Sequence, residues 1–123
     1  MSKRILIIDD DLAVRDTLIA ILEDRGYEVM TAVNGQQGLA VFRSERPDLL
    51  VTDIVMPVKE GLQTIREIRA ERPDMKIIAI SGGSRTERHD FLEIARQLGA
   101  WDVVVKPFDA EDFVARVDRC FAA

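Results

Sequence analysis

The sequence predicts an α/β domain in which five βα units wind a parallel sheet in both directions, giving a three-layer sandwich with helices on either face. Short apolar runs of strand length alternate with longer segments whose apolar residues recur at helical spacing. Four of the five short runs are apolar almost throughout, as strands must be when helices cover both faces. A chain of 123 residues that is 47% hydrophobic supports one sizeable core and one domain, residues 1–123.

Each element has its own signal. The first strand, Arg4 to Ile8, is followed by a helix that carries Val14, Leu18, Ile21 and Leu22 on one stripe and stops near Gly26, suited to a left-handed helix end. A strand from Tyr27 to Ala32 leads to a helix from Gly35 to Ser44, which turns Leu39 and Phe42 inward and ends before Pro47. The third strand, Leu49 to Thr52, precedes a helix from Gly61 to Glu71 with Leu62, Ile65 and Ile68 inward and Pro73 as its stop. The fourth strand spans Lys76 to Ile80. Ser84 and Glu87 then have capping-box spacing, Phe91, Leu92, Ala95 and Leu98 form the stripe, and Gly99 closes that helix. The last strand is Asp102 to Val105. Asp109 is the expected N-cap of the final helix, Phe108 and Phe113 have the spacing of a hydrophobic staple, and Phe113, Val117, Cys120 and Phe121 form its buried stripe.

Composition narrows the function classes. A net charge of -5 disfavours nucleic acid or an anionic membrane as the main partner. The single cysteine excludes a disulfide framework and a paired-cysteine metal site. The chain opens without a signal-peptide pattern, and no apolar run is long enough to cross a bilayer, so a cytoplasmic protein without membrane insertion is expected.

The chemistry concentrates at strand ends. Asp9, Asp10 and Asp11 follow the first strand directly, and crowded carboxylates raise one another's pKa and cost stability unless something cationic joins them. Asp53 follows the third apolar run, Ser81 the fourth and Lys106 the fifth. In a doubly wound sheet these ends share one edge, where ligands bind as the winding direction reverses. Oxygen-only ligands suit a hard cation such as Mg²⁺, which takes one or two carboxylates and keeps waters and phosphate oxygens.

Four linked motifs, Ile5-Leu-Ile-Ile-Asp-Asp-Asp, Val51-Thr-Asp-Ile-Val-Met-Pro57, Ile78-Ala-Ile-Ser-Gly82 and Val105-Lys-Pro-Phe108, resemble the receiver domain of bacterial response regulators in order and spacing. The resemblance covers essentially the whole chain and implies a flavodoxin-like (βα)5 fold with strand order 2-1-3-4-5. It implies that Asp53 accepts a phosphoryl group from a phosphohistidine. Asp10 would ligate Mg²⁺ directly, Asp9 mostly through water, and the backbone carbonyl of Val55 would be the third protein ligand. Ser81 would donate its hydroxyl to a phosphoryl oxygen, and Lys106 would pair with the acids and the phosphoryl group, with a cis peptide before Pro107. The implied partners are a histidine kinase or a histidine phosphotransfer protein, meeting the first helix near Leu12 and Arg15. An effector protein would meet the face of the fourth helix, fifth strand and fifth helix. As a stand-alone phosphoacceptor switch, the protein would catalyse only its own phosphorylation and dephosphorylation and act by docking.

Some positions depart from the family pattern. Val103 stands where many receivers carry Tyr or Phe, and the surplus length between Ser81 and Lys106 falls in Gly82 to Arg85, so this loop is expected to replace an aromatic switch. Val55 and Gly83 cannot orient an attacking water, which implies slow self-dephosphorylation. A phosphorylation-independent interaction module remains the alternative, and an aspartate-nucleophile phosphohydrolase would need an acid where Val55 stands. The other conspicuous residues have plainer readings: Asp11 as a helix cap, His89 as solvent-facing, Cys120 as core. Arg66, Glu67, Arg69 and Glu71 read as a solvated helical face. Trp101 reads as a packing residue, with a partner anchor as its alternative.

Overall fold

The structure, a computed structural model, describes residues 2–54, 58–82 and 93–123; for residues 58–61 the backbone alone is described. Five parallel strands, β1 (Arg4–Ile8), β2 (Glu28–Ala32), β3 (Leu49–Asp53), β4 (Lys76–Ser81) and β5 (Asp102–Val105), pair in the order β2-β1-β3-β4-β5. The helices are α1 (Leu12–Asp24), α2 (Gly35–Glu45), α3 (Val58–Glu71), α4, described over residues 93–97, and α5 (Ala110–Ala122). The flavodoxin-like α/β sandwich and its strand order are as expected.

Alternation along the strands builds two cores. Ile5, Ile7, Leu49, Val51, Ile78 and Ile80 point to one face, where Leu18 and Leu22 of α1 and Phe113, Val117 and Cys120 of α5 cover them. Leu6, Ile8, Leu50, Ile77 and Ala79 point to the other, against Phe42 of α2, Ile65 and Ile68 of α3 and Ala95 of α4. Full burial of each such side chain contributes roughly 1.5–3 kcal/mol, which is why these strands read as continuous apolar runs.

Local chemistry sets the ends. Asp11 caps α1, its carboxylate accepting from the backbone N–H groups of Ala13 and Val14. The helix closes at Gly26 with φ +90°, as Gly26 N–H donates to Glu23 and Tyr27 N–H to Leu22. That second bond holds the Tyr27 backbone in the helix end, so β2 begins at Glu28 and not at Tyr27. Gly99, with φ +82°, closes α4 in the same way. At the start of α2, Asn34 accepts from Gln37 N–H while the Gln37 side chain accepts from Val33 N–H. Asp109 occupies the N-cap position of α5 with extended backbone but makes no side-chain cap bond, so the expected capping role fails. The staple beside it holds, with the Phe108 and Phe113 rings 5.2 Å apart. Helix α3 starts at Val58 and runs through Gly61; an internal glycine costs a helix only about 1 kcal/mol, and buried Ile65 and Ile68 offset it. The Ser84–Glu87 box and the apolar pair Phe91 and Leu92 lie outside the described residues, as does His89.

Arg69 is not part of a solvated face. It donates Nη1 to the carbonyls of Pro73 and Met75, at 2.8 and 2.7 Å, and Nη2 to that of Gly99 at 2.7 Å. One cation thus ties the turn after α3 to the turn after α4. Trp101 remains 38% exposed at the start of β5, more than a packing role predicts.

Two contacts have measurable consequences. A Cβ at Gly38 would sit 2.3 Å from Cδ1 and 2.8 Å from Cγ1 of the fully buried Ile8. Gly38→Ala should therefore destabilise the protein by about 1–3 kcal/mol through overpacking, despite alanine's better helix propensity. Chemical denaturation of the double variant with Ile8→Val should recover part of that loss. The Tyr27 hydroxyl donates to Asp118, and burial together with this bond raises its pKa from 10.0 to about 12. The folded state keeps this proton while the unfolded state loses it, so stability falls as pH rises from 10 toward 12. Denaturation series over that window should show a shallower decline for Tyr27→Phe than for the parent.

Candidate functional site

Adjacent placement of β1 and β3 brings two acidic strand ends together at the carboxyl edge of the sheet. Asp9, immediately after β1, is fully buried, and its backbone N–H still bonds Ala32 at 3.1 Å, continuing the ladder with β2. Asp53 is the last residue of β3, paired with Ile80 and only 4% exposed. Asp10 is exposed beside them. One carboxylate oxygen from each of Asp9, Asp10 and Asp53 lies within 4.8 Å of the others, a spacing at which one small cation can be shared.

Lys106 supplies the positive charge. Its Nζ stands 2.8 Å from Asp53 Oδ2 and 3.4 Å from Asp9 Oδ2. Its backbone N–H donates to the Ser81 carbonyl at 2.7 Å, fixing the point from which the side chain sets out. The peptide bond from Lys106 to Pro107 is cis, as the resemblance implies. Burial pushes the Lys106 ammonium down, but the hydrogen bond to Asp53 and the charges of Asp53 and Asp9 outweigh it, and the net shift is upward. Asp9 is held above the usual carboxylate range first by desolvation and then by repulsion from Asp53. The Asp11 N–H, 2.8 Å from Asp9 Oδ1, and Lys106 only partly oppose this.

Ser81 ends β4, fully buried and paired with Val105, and its hydroxyl makes a long 3.5 Å contact with the Gly82 carbonyl. Strands β3 and β4 each run one residue further than the sequence suggests, so Asp53 and Ser81 sit on strands and not in loops. The Val55 carbonyl and the Gly83 to Arg85 segment lie outside the described residues. Leu12 is 62% exposed on α1. Arg15, however, turns its guanidinium back to the Asp9 carbonyl at 2.6 Å. It therefore braces the acidic strand end, a role that helical spacing alone could not reveal.

Two buried carboxylates, an exposed third and one ammonium thus meet at the edge that Ser81 also ends, and the acidic cluster is consistent with a divalent-cation site. The response regulator receiver domain pattern matches residues 5–118. A probable transcriptional regulator, ycf27, of Cyanophora paradoxa is 40% identical over 116 residues, covering 94% of this chain and 47% of its own length. The response regulator MprA of Mycobacterium tuberculosis is 40% identical over 118 residues, covering 95% of this chain and 50% of its own. The chain thus spans about half the length of these curated relatives. Among solved structures, a CheY-like receiver domain protein of Methanospirillum hungatei superposes with a TM-score of 0.86 at 34% identity, covering 97% of this chain and 93% of its own. A response regulator from Thermotoga maritima gives 0.88 at 27% identity with full coverage of both chains. With its site on the carboxyl edge of a β2-β1-β3-β4-β5 sheet, this chain belongs to the response regulator receiver domain family.

Proposed function

We propose that Asp53 accepts a phosphoryl group from the phosphohistidine of a histidine kinase or histidine phosphotransfer protein, and that the phosphorylated domain, residues 1–123, signals by docking to an effector protein. The observation that carries this reading is the Lys106 ammonium 2.8 Å from one oxygen of Asp53, inside a cluster of carboxylates. In the proposed transfer an Asp53 oxygen attacks phosphorus, the P–N bond breaks, and the histidine nitrogen takes the bonding electrons. Phosphoryl transfer needs little covalent work from the protein, so positioning and charge dominate. Lys106 moves from balancing two carboxylates to balancing the new phosphoryl oxygens as well. Ser81, whose hydroxyl makes only a long contact among the described residues, turns to donate to one of them.

The donor set fits Mg²⁺: oxygen ligands of Asp9, Asp10 and Asp53, with the Val55 carbonyl completing the set, would hold an ion that neutralises the phosphoryl charge. Receiver domains serve as sites of their own phosphorylation and dephosphorylation and not as general enzymes. A phosphohydrolase would need a second acid at the position of Val55. No helix among the described residues is long and apolar enough to cross a membrane.

Incubation with acetyl phosphate and Mg²⁺ should label the parent stoichiometrically at Asp53 and leave Asp53→Asn unlabelled by intact-mass analysis. Equal labelling of both would remove Asp53 from the role. In EDTA, Asp9→Asn should melt at a higher temperature than the parent, because it removes a buried anion held against its neighbour. Adding Mg²⁺ should stabilise the parent and narrow or reverse that difference; calorimetry with and without the metal decides it.

A further inference from the structure

The trough between α1 and α5 has a chemistry distinct from the phosphoacceptor pocket. It encloses about 400 Å³, floored by the half-buried Ile21 of α1 and Ala110 and Val114 of α5, with Ala115 on its wall. Asp24 and Glu111 stand exposed on opposite rims, and neither forms an ion pair with a described residue. Arg25, the cation among its described lining residues, is bound to Asp118 at 2.6 Å and also feels the charge of Asp24. The trough is therefore apolar below, and acid outnumbers base among its described lining residues, with Asp24, Glu111 and Asp118 against Arg25.

We propose that this trough docks an amphipathic helix of a partner protein whose apolar stripe is flanked by Lys or Arg. Two neighbouring helices leave a groove that receives ridges of side chains at i, i+4 spacing, the usual geometry of helix recognition. The charge pattern selects the occupant. Basic flanks would meet Asp24 on one side and Glu111 on the other, within a chain of net charge -5. A second copy of this domain does not fit as well, because a twofold contact through this face would set its acidic rims against each other. Membrane phosphates are repelled by the same carboxylates. The assignment is independent of phosphoryl transfer, since none of the lining residues belongs to the acidic pocket.

The test titrates Mg²⁺-loaded, methyl-labelled protein of residues 1–123 with a short synthetic helical peptide bearing leucine at i, i+4 and lysine on both flanks. A second peptide has the lysines replaced by glutamates. The lysine peptide should shift the Ile21 and Val114 methyl resonances saturably, and the glutamate peptide should not. Asp24→Lys combined with Glu111→Lys should weaken binding by about tenfold or more, while labelling by acetyl phosphate stays at the parent rate. Both changes lie on exposed side chains. Three results would overturn the proposal: no saturable binding of the lysine peptide, shifts confined to residues around Asp9 and Asp10, or undiminished affinity in the double variant. Loss of acetyl phosphate labelling in the parent would instead count against the phosphoacceptor reading and leave this one standing.

Discussion

The ammonium of Lys106, shared between Asp53 and Asp9, is the interaction on which the carboxyl edge depends. Both carboxylates are withdrawn from water, and Asp9 shows the cost in its raised pKa. The partner sits two strands from Asp53, across β4, a span of about 10 Å between backbones. A long side chain must cross that gap, and its stem runs beside Gly82, where a Cβ would stand 3.5 Å from Lys106 Cδ. The sheet order follows the same logic. Asp9 and Asp53 are neighbours because β1 and β3 pair, while β4 contributes the hydroxyl and β5 the cation.

That arrangement makes the pocket responsive to added negative charge. The proposed phosphoryl group would bring more anionic charge to a place where one ammonium already serves two carboxylates. Among the described residues, the groups placed to answer it are Lys106, which is held on its backbone side, and Ser81, whose hydroxyl has a weak present contact. Change is therefore channelled toward the ends of β4 and β5. The other edge of the acidic site is stiffer, because Asp11 caps α1 and Arg15 holds the Asp9 carbonyl.

The strands and the pocket were legible in the sequence because both follow from what burial demands. Residues Ile5 to Ile8 are apolar without alternation since both faces are covered, and charged or hydroxyl residues directly after such runs have to serve a purpose. Arg69 shows where that reading stops. Spacing places it on a charged stripe with Arg66 and Glu67, yet its guanidinium folds over the helix end to carbonyls of Pro73, Met75 and Gly99. Its partners are backbone groups, which leave no residue-type signature. Asp109 fails in the opposite direction: the residue suits a cap and takes the right backbone position, but its side chain is not used. The capping pair of Asn34 and Gln37 emerged only with the structure, and Gly38 could not announce its closeness to Ile8, because proximity across elements is a property of packing.

The Arg69 clasp also bears on how the domain can deform. One of its three carbonyl bonds holds Gly99 at the end of α4, and the other two hold Pro73 and Met75 in the turn after α3. Arg69 thus works as a rivet between two loops: a single cation holds the chain segments that follow α3 and α4 in fixed register, so its removal would release both together.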